Sequence, residues 1–163
     1  MSDRVPMTPR GFQRLKSELK HLKTEQRPSV VKEIEEARAH GDLSENAEYA
    51  AARERQSFIE GRIAEIESKL TLADIIDTSK LSGARVVFGA YVTLRDGDGD
   101  EEVTYQIVGL DEADMKQRRI SVTAPLARAM IGKSVGDEFE LKTAKGPRSY
   151  EIVAVEFRED PLE

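Results

Sequence analysis

Two carboxylates, Asp42 and Glu45, lie three positions apart between two long stretches of helical periodicity. Carboxylate oxygens suit Mg²⁺, but this ion takes six oxygens in an octahedron, and two side chains cannot enclose it. A metal held here would need waters and a partner molecule to complete its shell. The pair also fits a purely structural role, with Asp42 capping the second helix and Glu45 completing a capping box. The residues alone favour the structural role and leave both interpretations open.

Two helices of roughly thirty residues each are predicted to carry this pair at the tip of a hairpin, with Gly41 in the left-handed turn that closes the first. The first helix begins at Thr8 and Pro9, a hydroxyl cap followed by proline at the first helical position. A kink or short break is expected near Pro28. At about 1.5 Å per residue the hairpin is about 45 Å long. The apolar stripes are Phe12, Leu15, Leu19, Leu22, Val30, Ile34 and Ala37, and then, between about residues 43 and 73, Ala47, Ala51, Phe58, Ile59, Ile63, Ile66, Leu70 and Ala73. Alanines at 37, 47 and 50–52 predict a narrow distal end.

The second half of the chain changes to a period of two. Short β-branched or aromatic runs at 86–94, 103–108, 120–123, 138–142 and 150–157 are separated by Gly, Asp and Pro turns, and one helical piece starts at Pro125. The predicted fold class is therefore α+β: a long N-terminal antiparallel α-helical coiled-coil hairpin followed by a small antiparallel β-sheet domain with one short helix. The predicted domains are an arm at 1–76, a linker at 77–84 and a globular domain at 85–163.

Composition limits the possible partners. The 163 residues carry a net charge of -6 and include no cysteine, which argues against disulfides and thiolate metal sites. Neither half has the basic excess of a nucleic-acid-binding module, so any nucleic acid should be reached through another macromolecule. With no apolar segment resembling a signal peptide or membrane span, we expect a soluble cytoplasmic protein with no membrane association.

Three motifs of the second half imitate sites. Residues 111–114 spell a helicase box, and residues 132–134 resemble the end of a phosphate loop, yet that loop needs glycine where Ala127 stands. Residues 96–100 have calcium-loop spacing but lack the glycine and the terminal acid, with Glu101 and Ile107 in their places, so a hairpin turn is favoured. The two histidines, His21 and His40, have no partner at metal-ligand spacing.

Several motifs in one order carry a family resemblance. Residues 41–49, with 51–54 after them, resemble the signature of the bacterial transcript cleavage factors, the GreA/GreB family. The opening at residues 7–11, the pair 27–28 and the segments 85–90, 107–109, 111–114 and 120–129 resemble the rest of that family. The sparse basic residues along the arm are more similar to the GreA branch. The resemblance covers nearly the whole chain and implies an FKBP-like C-terminal fold.

The resemblance implies a cofactor of RNA polymerase that is not an enzyme by itself. The coiled coil would enter the secondary channel of the bacterial polymerase, with the C-terminal domain on the rim, and stimulate the polymerase to cleave backtracked RNA. Asp42 and Glu45 would hold a Mg²⁺ shared with the polymerase, with no cofactor bound to the free, monomeric protein. Other implied roles are RNA 3′-end contact for Arg38 and Arg53, tip support for Gly41, Ser44, Asn46 and Tyr49, and polymerase docking for Ser121 and Pro125.

Alternatives remain for the function and for the arginines. The protein could instead be a channel-binding inhibitor of the polymerase that does not stimulate cleavage, as relatives with altered tips are, although the intact run from Asp42 to Asn46 argues against it. A peptidyl-prolyl isomerase, suggested by the C-terminal fold, would need an aromatic-lined proline pocket that the scattered aromatic residues do not indicate. Arg38 and Arg53 could also be ordinary solvated or ion-paired helix residues.

Overall fold

The computed structural model describes residues 3–41 and 46–160, which belong to two compact units. Gln13–Ala73 form the first, here called the arm unit, and Met1–Phe12 together with Asp74–Glu163 form the second, here called the sheet unit. In the part of the chain so described, no helix is long and apolar enough to cross a membrane.

Helices make up the arm unit. Helix α1 (Pro9–His21) starts in the sheet unit, a π-helical segment (Leu22–Gln26) follows it, and α2 (Arg27–Arg38) packs against α3 (Ala47–Leu72). The apolar stripes of the facing helices are buried against each other, which removes them from water and holds the helices together. The buried cluster is Leu22, Val30, Ile59, Ile63 and Ile66, with Leu15, Leu19 and Leu70 against it.

Pro28 is accommodated without a break in the helix. It stands in the first turn of α2, where a missing N–H costs least, and the preceding π-helical segment runs directly into that turn. Leu22 and Val30 are eight positions apart, one more than a heptad, and both are buried. A π-helical turn closes over one extra residue, so it absorbs the additional position and keeps both side chains on the apolar seam. The kink or break expected from the sequence is replaced by this segment.

Ion pairs across the arm unit fix the register of its helices. Arg27 donates to Glu60 through Nε at 2.8 Å and Nη2 at 2.7 Å, and Arg62 donates to Glu18 in the same two-pronged manner at 3.0 and 2.7 Å. A planar guanidinium that meets both carboxylate oxygens tolerates little sliding, so these pairs contribute geometric specificity more than stability.

Two short strands, β1 (Val5–Met7) and β2 (Ala73–Ile75), pair with each other. The sheet unit contains five further strands: β3 (Tyr91–Asp96), β4 (Glu102–Val108), β5 (Arg119–Ser121), β6 (Glu138–Thr143) and β7 (Gly146–Glu156). They form one sheet in the order β5-β4-β3-β7-β6. One short helix, α4 (Pro125–Met130), packs against β5 and β6. The α+β fold class predicted from the sequence is confirmed. The core cluster is Val86, Ala90, Val92, Leu94, Ile107, Ile120, Ala127, Met130, Phe139 and Ile152.

Two details of the predicted sheet are wrong. The pair β4–β5 is parallel, because the chain after Val108 passes through two 3₁₀ turns, Leu110–Glu112 and Met115–Gln117, before β5 begins. A three-residue strand has the same apolar pattern in either direction, so its sequence could not reveal this. In addition, residues 85–90 form turns and an isolated bridge between Arg85 and Ser134, and β3 starts only at Tyr91.

A buried carboxylate connects the start of the first helix to the sheet unit. Strand β1 (Val5–Met7) pairs with β2 (Ala73–Ile75), and Thr8 follows it as the cap of α1, its Oγ1 accepting from Gly11 N at 3.1 Å. The Oε2 atom of Glu112 accepts from Thr8 N at 3.0 Å and from Gly109 N at 2.9 Å, and its Oε1 accepts from the Thr8 hydroxyl.

Gly11 is required by this contact, since a Cβ there would lie 2.2 Å from Glu112 Oε1. Residues 1–12 therefore pack with the C-terminal part of the chain, whereas the sequence assigned them to an arm spanning 1–76. The 111–114 motif thus contributes a structural carboxylate, Glu112, that accepts hydrogen bonds from Thr8 at the start of α1 and from Gly109.

Replacing Glu112 by alanine should destabilise the sheet unit, because the N–H groups of Thr8 and Gly109 lose their acceptor away from water. We expect a loss of about 2–4 kcal/mol in the free energy of unfolding, measured by chemical denaturation. Glu112→Gln retains one acceptor oxygen and should lose less. Glu138→Gln, on the exposed side of β6, is the matched control. Unchanged stability of Glu112→Ala would contradict this account.

The Arg27–Glu60 pair should make the arm unit sensitive to acid. The hydrogen bonds from Arg27 are the largest cause that lowers the pKa of Glu60 below its ordinary value. Because the folded pKa lies below the unfolded one, the stabilisation is present above the ordinary glutamate pKa and is lost as the pH falls through the folded pKa. When the pH is lowered at low salt, the wild type should lose a small part of its helix ellipticity as Glu60 becomes protonated. Glu60→Gln should lose less, because it has no carboxylate to protonate at this position. Glu54→Gln, on the same helix and unpaired among the described residues, should titrate like the wild type, and a wild-type response from Glu60→Gln would refute the role of the pair.

Candidate functional site

The predicted tip is described only at its two flanks. Asp42, Ser44 and Glu45 lie outside the described residues, whereas Gly41 and Asn46 are the described residues on either side of them. The site is therefore built here from the end of α2 and the start of α3.

Gly41 closes the end of α2 as the sequence predicted. Its φ is +105°, a conformation that glycine adopts without a Cβ penalty. The hydrogen bonds before it change from α-helical to 3₁₀ spacing. Ala39 N donates to Glu35 O, four residues back, at 3.2 Å, whereas His40 N donates to Ala37 O at 3.2 Å and Gly41 N to Arg38 O at 3.3 Å, each three residues back. These bonds give hydrogen-bond donors to the carbonyl groups in the last turn of α2.

Asn46 joins the two helices through a single side chain. Its Oδ1 accepts from Tyr49 N at 3.0 Å and so caps α3, while its Nδ2 donates to Ala37 O in the last turn of α2 at 2.8 Å. An amide can do both because it carries an acceptor and a donor, whereas a carboxylate can only accept when ionised.

The cap of the second helix is therefore Asn46, so the structural interpretation that made Asp42 this cap is wrong. Helix α3 begins at Ala47, four positions later than the expected start near 43. The resemblance implied that Asn46 supports the tip, and the contact through which it does so, to Ala37 O, lies across the hairpin. The start of α3 does not require Asp42 or Glu45 as its cap.

Tyr49 positions one of the two predicted RNA-contacting arginines. The Arg38 guanidinium carbon lies 5.9 Å from the centroid of the Tyr49 ring, a cation–π arrangement. Arg53, farther along α3, donates from Nη1 to Gln56 Oε1 at 3.2 Å. Both arginines are exposed, and neither forms an ion pair with a carboxylate in residues 3–41 or 46–160. Each keeps donors available for a phosphate.

Only some of the alanines predicted for the distal seam are buried there. Ala37 and Ala52 are buried in the seam, but Ala47, Ala50 and Ala51, also predicted to lie there, are exposed. A shallow groove of about 290 Å³ follows this seam, and its lining includes the carboxylates of Glu33, Glu36 and Glu48. In the described ranges no three His, Asp or Glu side chains are arranged to hold a metal ion. A Mg²⁺ at this end would thus need oxygens from residues 42–45 or from a partner.

The two predicted docking residues differ in accessibility. Ser121 ends β5 and is buried, and its Oγ shares a hydrogen bond with Thr123 Oγ1 at 2.7 Å. Pro125 starts α4 and is exposed. Of the pair, only Pro125 is exposed.

Asn46→Ala should loosen the tip, because it removes both the cap of α3 and the bond to Ala37. We expect a local loss of about 1–2 kcal/mol, read as faster hydrogen exchange of the Tyr49 amide. Asn46→Asp keeps the acceptor for that amide and loses the donor to Ala37, so it should retain most of the Tyr49 protection. Equal exchange in Asn46→Ala and the wild type would show that the cap is not formed in solution.

Two family models match the chain in succession. The first, described as transcription elongation factor, N-terminal, matches residues 5–75, and the second, described as transcription elongation factor, GreA/GreB, C-term, matches residues 81–157. Together they include both flanks of the tip and both predicted docking residues.

Similar proteins extend over almost the full chain. Transcription elongation factor GreA of Acidiphilium cryptum is 60% identical over 154 residues, which cover 94% of this chain and 98% of the relative. GreA of Hyphomonas neptunium is 58% identical, with 96% and 99% covered, and GreA of Rickettsia felis is 57% identical, with 98% of each covered. With two consecutive family models and relatives of this identity, the chain belongs to the GreA/GreB family of transcription elongation factors.

Proposed function

We propose that this protein inserts its helical hairpin into the secondary channel of bacterial RNA polymerase and stimulates the polymerase to cleave backtracked RNA. The observation that carries the proposal is the cap of α3. Because Asn46 supplies it, the carboxylates Asp42 and Glu45 are not needed for that cap and are available for another role. Similarity to GreA proteins over nearly the whole chain supports the choice of partner.

Asp42 and Glu45 would hold a Mg²⁺ completed by polymerase ligands, and this ion would stabilise the charge that develops when a phosphodiester is hydrolysed. The protein by itself is expected to have no nuclease activity, and it would act in the cytoplasm, where the polymerase works.

Arg38 and Arg53 would bind the phosphates of the displaced RNA end. Their exposure and their lack of carboxylate partners among the described residues leave donors for this purpose, and the Tyr49 ring restricts the Arg38 side chain in advance. Restricting a long side chain before binding reduces the conformational entropy that binding must remove. On the sheet unit, Pro125 is the accessible member of the proposed docking pair.

Cleavage of RNA in a stalled, backtracked elongation complex tests the proposal. Wild type should shorten the transcript in the presence of Mg²⁺, whereas Asp42→Asn and Glu45→Gln should each reduce the rate by more than about tenfold, as is usual when a metal site is disturbed. Polymerase binding, measured separately, should be retained, because the long helices and the sheet unit are unchanged.

Glu35→Gln is the matched control, since it removes an exposed carboxylate from α2 near the same end. Its cleavage rate should equal that of the wild type. Equal cleavage rates for the wild type and all three variants would contradict the proposal that Asp42 and Glu45 bind a metal ion. Binding by the wild type without any cleavage would instead favour a channel-binding inhibitor.

A further inference from the structure

We propose that the sheet unit contains a second site, a cleft that binds a small phosphorylated molecule. The cleft has a volume of about 450 Å³, and four arginines line it: Arg10, Arg118, Arg119 and Arg158. It is formed within the sheet unit and does not depend on the proposed role of the tip.

Arg10 is the principal reason to assign a ligand. Its side chain is only 2% exposed, and its Nε hydrogen bonds to no atom of residues 3–41 or 46–160. No carboxylate of the described residues forms an ion pair with it either. A guanidinium keeps its charge at any physiological pH, so burying it without a counter-ion is unfavourable. An oxyanion in the cleft would supply both the missing acceptor and the missing negative charge.

Among the residues that the structure describes, Gln106 has an unpaired acceptor in the same cleft, whereas Arg10 has an unpaired donor. It is 4% exposed, and its Nε2 donates to both carboxylate oxygens of Asp160 at 3.1 Å, which fixes the amide. Its Oε1 lacks a hydrogen-bond donor among the described residues although it lines the same cleft. The ligand should therefore carry a hydroxyl or amino group beside its oxyanion.

Two arginines on the rim are held in place by the fold. Arg118 has φ +57° and ψ +42°, and it alone among the described non-glycine residues has a positive φ. Its N–H donates to Met115 O at 3.1 Å, which closes a 3₁₀ turn in this strained conformation. The Arg158 guanidinium lies 3.9 Å from the centroid of the Tyr91 ring.

The charge of the cleft is positive. Four arginines line the cleft together with one acidic residue, Glu159. Two further carboxylates contact its residues: Asp160 accepts from Gln106 and from the Tyr91 hydroxyl, and Glu156 forms an ion pair with Arg158 at 4.0 Å, so the four guanidinium charges exceed the three acidic ones. Burial, followed by the hydrogen bond to Asp160, raises the pKa of Tyr91, so the phenol stays neutral and adds no negative charge.

Phosphate is the oxyanion that these features favour. A guanidinium meets phosphate oxygens with two parallel hydrogen bonds, and several guanidinium groups match the multiple charges of a phosphomonoester or diphosphate. The volume falls within the range of about 300–1,000 Å³ typical of small-molecule sites and leaves room for more than the phosphate itself. The hydroxyl groups of a sugar would supply the donor for Gln106.

Calorimetric titration of the full chain with three probes tests the assignment. ADP and ribose 5-phosphate carry the phosphate and the hydroxyl groups, with and without a base, and adenosine lacks the phosphate. Binding of either phosphorylated probe, with adenosine at least tenfold weaker, is the expected result. Preference for ADP or for ribose 5-phosphate would identify the ligand as a nucleotide or a sugar phosphate.

Variants then locate the bound probe. Arg118→Asn, with a residue that tolerates the left-handed backbone, and Arg158→Gln should each weaken binding at least fivefold. Arg148→Gln, an exposed arginine on β7 outside the cleft lining, should bind like the wild type. Circular dichroism confirms that each variant is folded. No binding by the wild type up to millimolar probe, equal binding of adenosine, or wild-type affinity in both cleft variants would overturn the proposal.

Discussion

The carboxylate of Glu112 is the contact on which the organisation of this chain depends. It accepts from the backbone N–H groups of Thr8 and Gly109 and from the Thr8 hydroxyl, and Glu112 is buried, with 8% of its surface exposed. The N-terminal end of α1 has unsatisfied N–H groups and a partial positive charge, so a buried carboxylate there is stabilised by charge as well as by hydrogen bonding. The first helix consequently starts inside the sheet unit, and Gly11 is needed to leave room for the acid.

In the arm unit, Asn46 takes one of the two roles that the sequence left open for Asp42 and Glu45, the cap of α3. Its amide closes the hairpin by bonding to both helices, and the cap of α3 is complete without an acid. A carboxylate that both capped a helix and bound a cation would have to exchange one set of partners for the other. Assigning the cap to Asn46 removes that competition and is compatible with a proposed metal site that forms only in a complex.

The arginines of the chain differ in whether a carboxylate neutralises them. Along the arm unit, two-pronged pairs such as Arg27–Glu60 and Arg62–Glu18 neutralise cations between helices. Arg38 near the tip and Arg10 in the sheet unit lack carboxylate partners among the described residues and lie where the proposals place phosphate. Modest acidity of the whole chain is therefore compatible with local recognition of anions, because recognition depends on which arginines remain unpaired.

The sequence by itself determined the long helices, most but not all of their apolar seams (Phe58 and three of the alanines are exposed), the α+β class and, through its motifs, the family. These properties follow from periodicity and from local signals such as Thr8–Pro9 and Gly41, which act over a few residues. Only the tertiary structure decided that β5 runs parallel to β4, that Asn46 reaches Ala37, and that Glu112 bonds to a residue 104 positions away. Such contacts depend on where the backbone returns, and no local pattern of residue types records that return.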